Sequence, residues 1–143
     1  MMRILGLDYG SKTIGAALSD PLGLTAQPLE TIRRSEENHL RRSLARLEAI
    51  CREYEVDRLV VGLPLNMDDS EGERAAAARA FGEKLSRRTG LPLYFEDERL
   101  TTLEAEEVLA ECGIARRDFK KYVDSVAASL ILRSYMEKEE RNG

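Results

Sequence analysis

Apolar residues recur in two rhythms along the chain. Residues 3–8 are an apolar run, Ile4 to Leu7, that ends on Asp8. Residues 13–19 (TIGAALS) and 24–32 follow, separated by a turn at 9–12 and a DPLG turn at 20–23. Three short runs joined by tight turns predict an antiparallel meander. Pro28 has no N–H to give a neighbour, which places the third strand at an edge. The rhythm then changes. Leu40, Leu44, Leu47, Cys51 and Tyr54 recur at spacings of four and three, one face of a helix, with Ser35 as its expected N-cap and Glu36 and Glu37 in its first turn. The segment RLVVGLPLN (58–66) opens with an evenly apolar strand ending near Gly62, a pattern of burial on both faces, as in a parallel sheet. Ser70 and Glu73 form a capping-box pattern opening a helix over 70–88 that packs through its alanine run (75–78), Phe81 and Leu85. LPLYF (91–95) is a fifth strand. Thr101 and Glu104 open a third helix that stops near Gly113. A basic connector (115–121) leads into a last helix, 121–138, with Val123, Val126, Ala127, Leu130, Ile131 and Ser134 on one face.

The order β-β-β-α-β-α-β-α-α predicts an α/β fold: a mixed five-stranded sheet, three antiparallel strands then two parallel, with helices on both faces. A chain of 143 residues fits one domain, 1–143, able to bury roughly two thirds of its unfolded surface without disulfide or structural metal. The polar tail from about 139 to 143 is expected to fray. No run of about 18 apolar residues occurs, so no membrane span is expected, and Asp8 interrupts any signal-like stretch, so secretion is not expected. Cys51 and Cys112 are isolated, read as half-buried helix residues, and suit a reducing, cytoplasmic setting. The single histidine, His39, excludes a His-rich metal site. With net charge −4, a nucleic-acid partner must be met by local basic patches.

Most of the 26 acidic residues read as solvated helix faces. Three stand elsewhere. Asp8 ends the first strand, Glu98 lies just past the fifth, and Asp124 is placed in the first turn of the last helix among Val123, Val126 and Ala127. Parallel strands share an edge for their C-terminal ends, the edge where open α/β sheets bind ligands. Ser125, Ala127, Ala128 and Ser129 are small enough to let the last helix approach the sheet. Three converging carboxylates repel unless a cation neutralises them, and hard ions such as Mg²⁺ or Mn²⁺ prefer oxygen ligands. Two such ions would serve phosphodiester cleavage. Each acid alone has an ordinary reading: a turn cap at Asp8, a solvated loop acid at Glu98, a helix-start acid at Asp124.

LGLDYGSKTIG, VVGLPLNMD, DERLTT and VDSVAASLIL resemble, in order, the four motif blocks of the YqgF/RuvX family. These are bacterial RNase H-like proteins described as Holliday junction resolvases and as pre-16S rRNA nucleases. The resemblance spans residues 3 to 135. It implies an RNase H-like nuclease domain in which Asp8, Glu98 and Asp124 form a catalytic, metal-binding site. RuvC-type resolvases carry their middle acid at the end of the fourth strand; here that strand ends VVGLPLN, without an acid. Glu98 must reach in instead, and Glu96 and Asp97 compete for the role. A fifth strand running to Phe95 or beyond puts Glu96 and Glu98 on one side and Asp97 on the other.

Lys12, Asn66 and Arg99 are candidate phosphate contacts beside the acids, Arg99 the better clamp as a planar bidentate donor. Arg116, Arg117, Lys120 and Lys121 form a basic stretch just before Asp124 that would guide a polyanion. Arg33, Arg34, Arg41 and Arg42 are a possible extension. Tyr9 and Tyr122 are the aromatics nearest the proposed site. The favoured function is a metal-dependent endonuclease maturing the 5′ end of 16S rRNA, with precursor rRNA as partner. Junction resolution on branched DNA and a catalytically silent nucleic-acid- or transcription-factor-binding module are the alternatives, and both monomer and homodimer remain open. DYGSKTIG also resembles the phosphate loop of actin-like ATPases and sugar kinases, but those need a second domain.

Overall fold

The computed structural model describes residues 3–98 and 101–142. The strands β1 (Ile4–Tyr9), β2 (Thr13–Ser19) and β3 (Ala26–Arg33) form the meander. They are followed by α1 (Arg41–Glu53), β4 (Arg58–Leu63), α2 (Glu73–Thr89), β5 (Leu93–Asp97), α3 (Thr101–Glu111) and α4 (Phe119–Asn142). The sheet order is β3-β2-β1-β4-β5. β1 pairs antiparallel with β2 and parallel with β4, and β4 pairs parallel with β5. The C-terminal ends of β1, β4 and β5 therefore share one edge. β3 is an outer strand, as Pro28 requires. Pro28 pairs with Ala17, and a register shift there leaves Leu29 as the extra residue of a bulge.

Strand alternation divides the core. Leu5, Leu7, Leu59, Val61 and Leu63 face α1 and α2, against Leu47, Ile50, Phe81 and Leu85. Ile4, Ala17 and Val60 face α4, against Ala128, Ile131 and Leu132. α3 covers the outer side of α4 through Ala105 and Leu109, against Val126, Ala127 and Leu130. The single apolar face expected for the last helix is thus two faces, one on the sheet and one on α3. Residues 125–132 are buried without interruption, as expected of a helix covered on both sides.

Several element boundaries differ from expectation. α1 begins at Arg41 behind Leu40, with no side-chain cap and no acid in its first turn. Ser35 is not its N-cap, and Glu37 instead accepts the Tyr9 hydroxyl and Arg74. The capping box at Ser70 does not form: the Ser70 hydroxyl serves Asp68 and Asn66, and Gly72 precedes α2. A short 3-10 turn at Arg116–Asp118 runs straight into α4, so all of the expected basic connector except Ala115 is helical. α4 continues to Asn142 through the segment expected to fray. There Arg58 donates to Tyr135 and pairs with Glu139. Cys51 is buried, which pushes its thiol up to about 11, whereas Cys112 is exposed. Among the described residues no helix is long and apolar enough to cross a membrane.

Candidate nuclease site

The alternation that sends Leu5, Leu7 and Tyr9 toward α1 and α2 turns Asp8 toward α4. Two mid-strand glycines make the space around it. Gly15 is the ladder partner of Asp8 on β2. A Cβ there would lie 1.9 Å from the carbonyl oxygen of Asp124, so only glycine lets the start of α4 rest on the strand. Gly62, on β4, would carry a Cβ 2.7 Å from Oε2 of Glu98. Glu98 therefore folds back from the end of β5 over Gly62, beside β1. Neither glycine stood out in the sequence as a site position. The available signal was an isolated glycine inside an apolar strand, which marks close approach of another chain segment.

Glu98 and Asp8 are hydrogen-bonded through their carboxyl groups. Two carboxylates make such a bond only by sharing a proton. Burial raises the Glu98 carboxyl first, then the charge of Asp8, the shared bond and the charge of Asp97, with Arg74 opposing; together they push it up to about 9. Asp8 is raised as well, first by burial; its bond with Glu98 works the other way, and the negative charge of Asp124 adds to the rise. Among the described residues no three acidic, imidazole or thiol side chains are gathered into a ready-made metal cage. Asp8 and Glu98 meet directly; Asp124 acts on Asp8 through its charge. Asp124 lies in the second turn of α4, which begins at Phe119. It is not in the first turn, so capping of the helix start does not explain it.

β5 extends to Asp97, two residues past the expected end. Glu96, paired in register with Gly62, is buried and bonded to Ser134 (2.7 Å) and Lys138 (2.6 Å). It is held away from Asp8. Lys12 is exposed in the turn after Asp8. Asn66 follows β4 on the same edge and braces its loop through Ser70 at 3.0 Å. Arg99 lies outside the described residues. Arg116, Arg117, Lys120 and Lys121 are exposed within about two turns of Asp124, with Lys121 3.7 Å from Asp118. Tyr122 is 45% exposed. Tyr9 is turned to the opposite face and stacks on Phe81 at 4.6 Å. Arg74, at the start of α2, was missed by the sequence reasoning; it bonds Glu37 and its charge reaches Glu98.

The chain is similar to known proteins over nearly its whole length. A protein of Lachnospira eligens, provisionally named a pre-16S rRNA nuclease, is 59% identical over 140 residues, 98% of this chain and 100% of that one. One of Moorella thermoacetica with the same provisional name is 52% identical over 142 residues, 99% of both chains. Among solved structures, Thermus thermophilus RuvC in complex with a Holliday junction superposes with a TM-score of 0.60 at 15% identity, covering 97% of this chain and 96% of that one. That likeness shows the fold to be the RuvC-like, RNase H-type sheet. The family model described as "RuvX: Holliday junction resolvase" matches residues 2–138, and the chain belongs to the RuvX family.

Proposed function

We propose that this protein is a divalent-metal-dependent endonuclease that hydrolyses RNA phosphodiesters in maturing the 5′ end of 16S rRNA. The observation that carries the reading is the carboxyl pair Asp8–Glu98 at the sheet edge, sharing a proton beside the charge of Asp124. Carboxyl oxygens around a position of only partly relieved negative charge are a donor set suited to Mg²⁺ or Mn²⁺. Asp8, Glu98 and Asp124 would hold the metal, one ion or two. When bound, it supplies positive charge against phosphate oxygens and lowers the pKa of water.

The chain's own residues do the rest. Asp8 and Glu98 give up their shared proton and become acceptors. Gly15 and Gly62 keep α4 and Glu98 close to the strand ends. Lys12, Asn66 and Arg99 bind phosphate beside the acids. Arg116, Arg117, Lys120 and Lys121 draw the polyanion toward the edge. The provisional names of full-length relatives favour precursor rRNA. The family description and the RuvC likeness favour branched DNA as a second substrate.

The test is cleavage of precursor rRNA and of a four-way junction with Mn²⁺, by the wild type and by Asp8→Asn. The reading expects RNA cleavage that the substitution abolishes. Undiminished cleavage by Asp8→Asn removes the acids from catalysis. Cleavage of the junction alone reverses the substrate order.

A further inference from the structure

Arg33, Arg34, Arg41 and Arg42 play no part in the site described above. They stand in two pairs on either side of the loop 35–40, and the fold brings the pairs together. The end of β3 and the start of α1 wall one open concavity of about 690 Å³, lined by all four arginines and His39. Arg33, Arg41 and Arg42 are exposed, and none pairs with an acid among the described residues. Two of the three nearby acids are engaged elsewhere. Glu37 holds Tyr9 and Arg74, Glu30 is bidentate with Arg46, and Glu36 lies 3.8 Å from His39. The first turn of α1 contains no acid, so nothing there cancels the arginines or the positive end of the helix dipole.

The concavity adjoins the acidic edge. The Arg34 backbone N–H donates to the Lys12 carbonyl at 2.9 Å, and its Nη2 donates to the Gly10 carbonyl at 2.8 Å. Arg33 pairs with Thr13. One wall of the arginine concavity is thus fastened to the turn that leaves Asp8 and carries Lys12. Guanidinium groups suit phosphate because their planar donors bind it bidentately.

We propose that this concavity is a second phosphate-binding site of the nuclease. It holds the substrate's sugar–phosphate backbone where the strand leaves the acids across the Lys12 turn. The proposal rests on the nuclease reading above. It places substrate contacts on both sides of the acids: residues 116–121 on one side, and the arginines of β3 and α1 on the other.

The test is equilibrium binding of a fluorescently labelled RNA of about 20 nucleotides, in EDTA, between about 50 and 200 mM salt. Arg41→Gln with Arg42→Gln should weaken binding about tenfold at the low-salt end. It should also make the log Kd–log salt slope shallower by about 1.4, because two phosphates of a single strand are no longer neutralised. Arg41→Lys with Arg42→Lys should restore the slope. If the double glutamine variant melts differently from wild type, Arg33→Gln replaces it, with an expected slope change of about 0.7. An unchanged slope in a folded glutamine variant overturns the proposal, as does failure of lysine to restore it. An acidic protein segment as the true occupant would appear as unchanged RNA binding. Failure of the nuclease reading is seen separately, as full cleavage by Asp8→Asn, because this binding needs neither metal nor catalysis.

Discussion

The two ends of the sheet handle charge in opposite ways. At the end where β1 and β4 begin, charges are matched. Arg58 lies 5.0 Å over the Tyr94 ring, donates to Tyr135 and pairs with Glu139. The Arg3 backbone N–H donates to Asp57, and its side chain donates to the Ser19 carbonyl. At the end where β1, β4 and β5 finish, Asp8 is set against both Glu98 and Asp124, and the proton shared with Glu98 relieves only part of the repulsion. Matched charge is what a fold does for its own stability. Like charge held together on a scaffold of two glycines is a cost to the fold, and it makes sense if a cation and a polyanion complete the site.

Breaking the acidic end should have the largest effect. Asp8→Asn is expected to lower single-turnover cleavage about a thousandfold, the several kcal/mol that a bound metal contributes to the transition state. The same substitution should raise the melting temperature of the metal-free protein at pH 8, because it removes a charge that Glu98 must otherwise face. A loss of both activity and stability would make Asp8 an ordinary structural residue. Next in size is Gly15→Ala. Its new methyl meets the backbone of Asp124 and not a flexible side-chain end, so α4 must shift. The expected cost is about 3 kcal/mol in denaturant unfolding, with loss of metal affinity. Gly62→Ala should be milder, because the atoms in its way are the ends of Ile131 and Glu98.

The acidic end also sets a pH dependence. Glu98 holds its proton to about pH 9 in the folded protein and only to its ordinary 4.5 when unfolded. Between those values the folded state binds the extra proton, so stability falls as pH rises through that window. The stabilising contribution is complete below pH 4.5 and gone above 9. Metal-free thermal melts from about pH 5 to about pH 9 should therefore decline, and Glu98→Gln should flatten the decline. The smallest effect belongs to the matched end. Arg58→Met removes the exposed pair with Glu139 and the bond to Tyr135 and should lower the melting temperature only slightly, leaving cleavage untouched. A large loss of cleavage from that substitution would erase the contrast between the two ends.

Much of this was legible in the chain. The element order and the mix of three antiparallel and two parallel strands followed from the apolar rhythm, because a meander and two helix-linked strands have few ways to share a sheet. Pro28 marked the edge. Asp8 and Glu98 could be placed on one corner from strand ends alone, and alternation along β5 separated Asp97 from Glu96 and Glu98. What local pattern missed was decided by contacts distant in sequence. Ser35 and Ser70 looked like caps, but Glu37 was recruited by Tyr9 and Arg74, and Ser70 by its own loop. Glu96 could not be told from Glu98 until Ser134 and Lys138, 38 and 42 residues away, claimed it. The start of α4 was displaced by the 3-10 turn, which moved Asp124 off the helix end. The arginines at 33, 34, 41 and 42 read only as a possible extension of a patch until the loop between them closed.

The most direct test of the acidic site is isothermal titration of the metal-free protein with Mn²⁺ at about pH 7, in buffers of different ionisation enthalpy. Metal binding between Asp8 and Glu98 must expel the proton they share. The account expects saturable binding with release of about one proton, and loss of that binding in Asp8→Asn. Binding that releases no proton, or that survives Asp8→Asn unchanged, would contradict it.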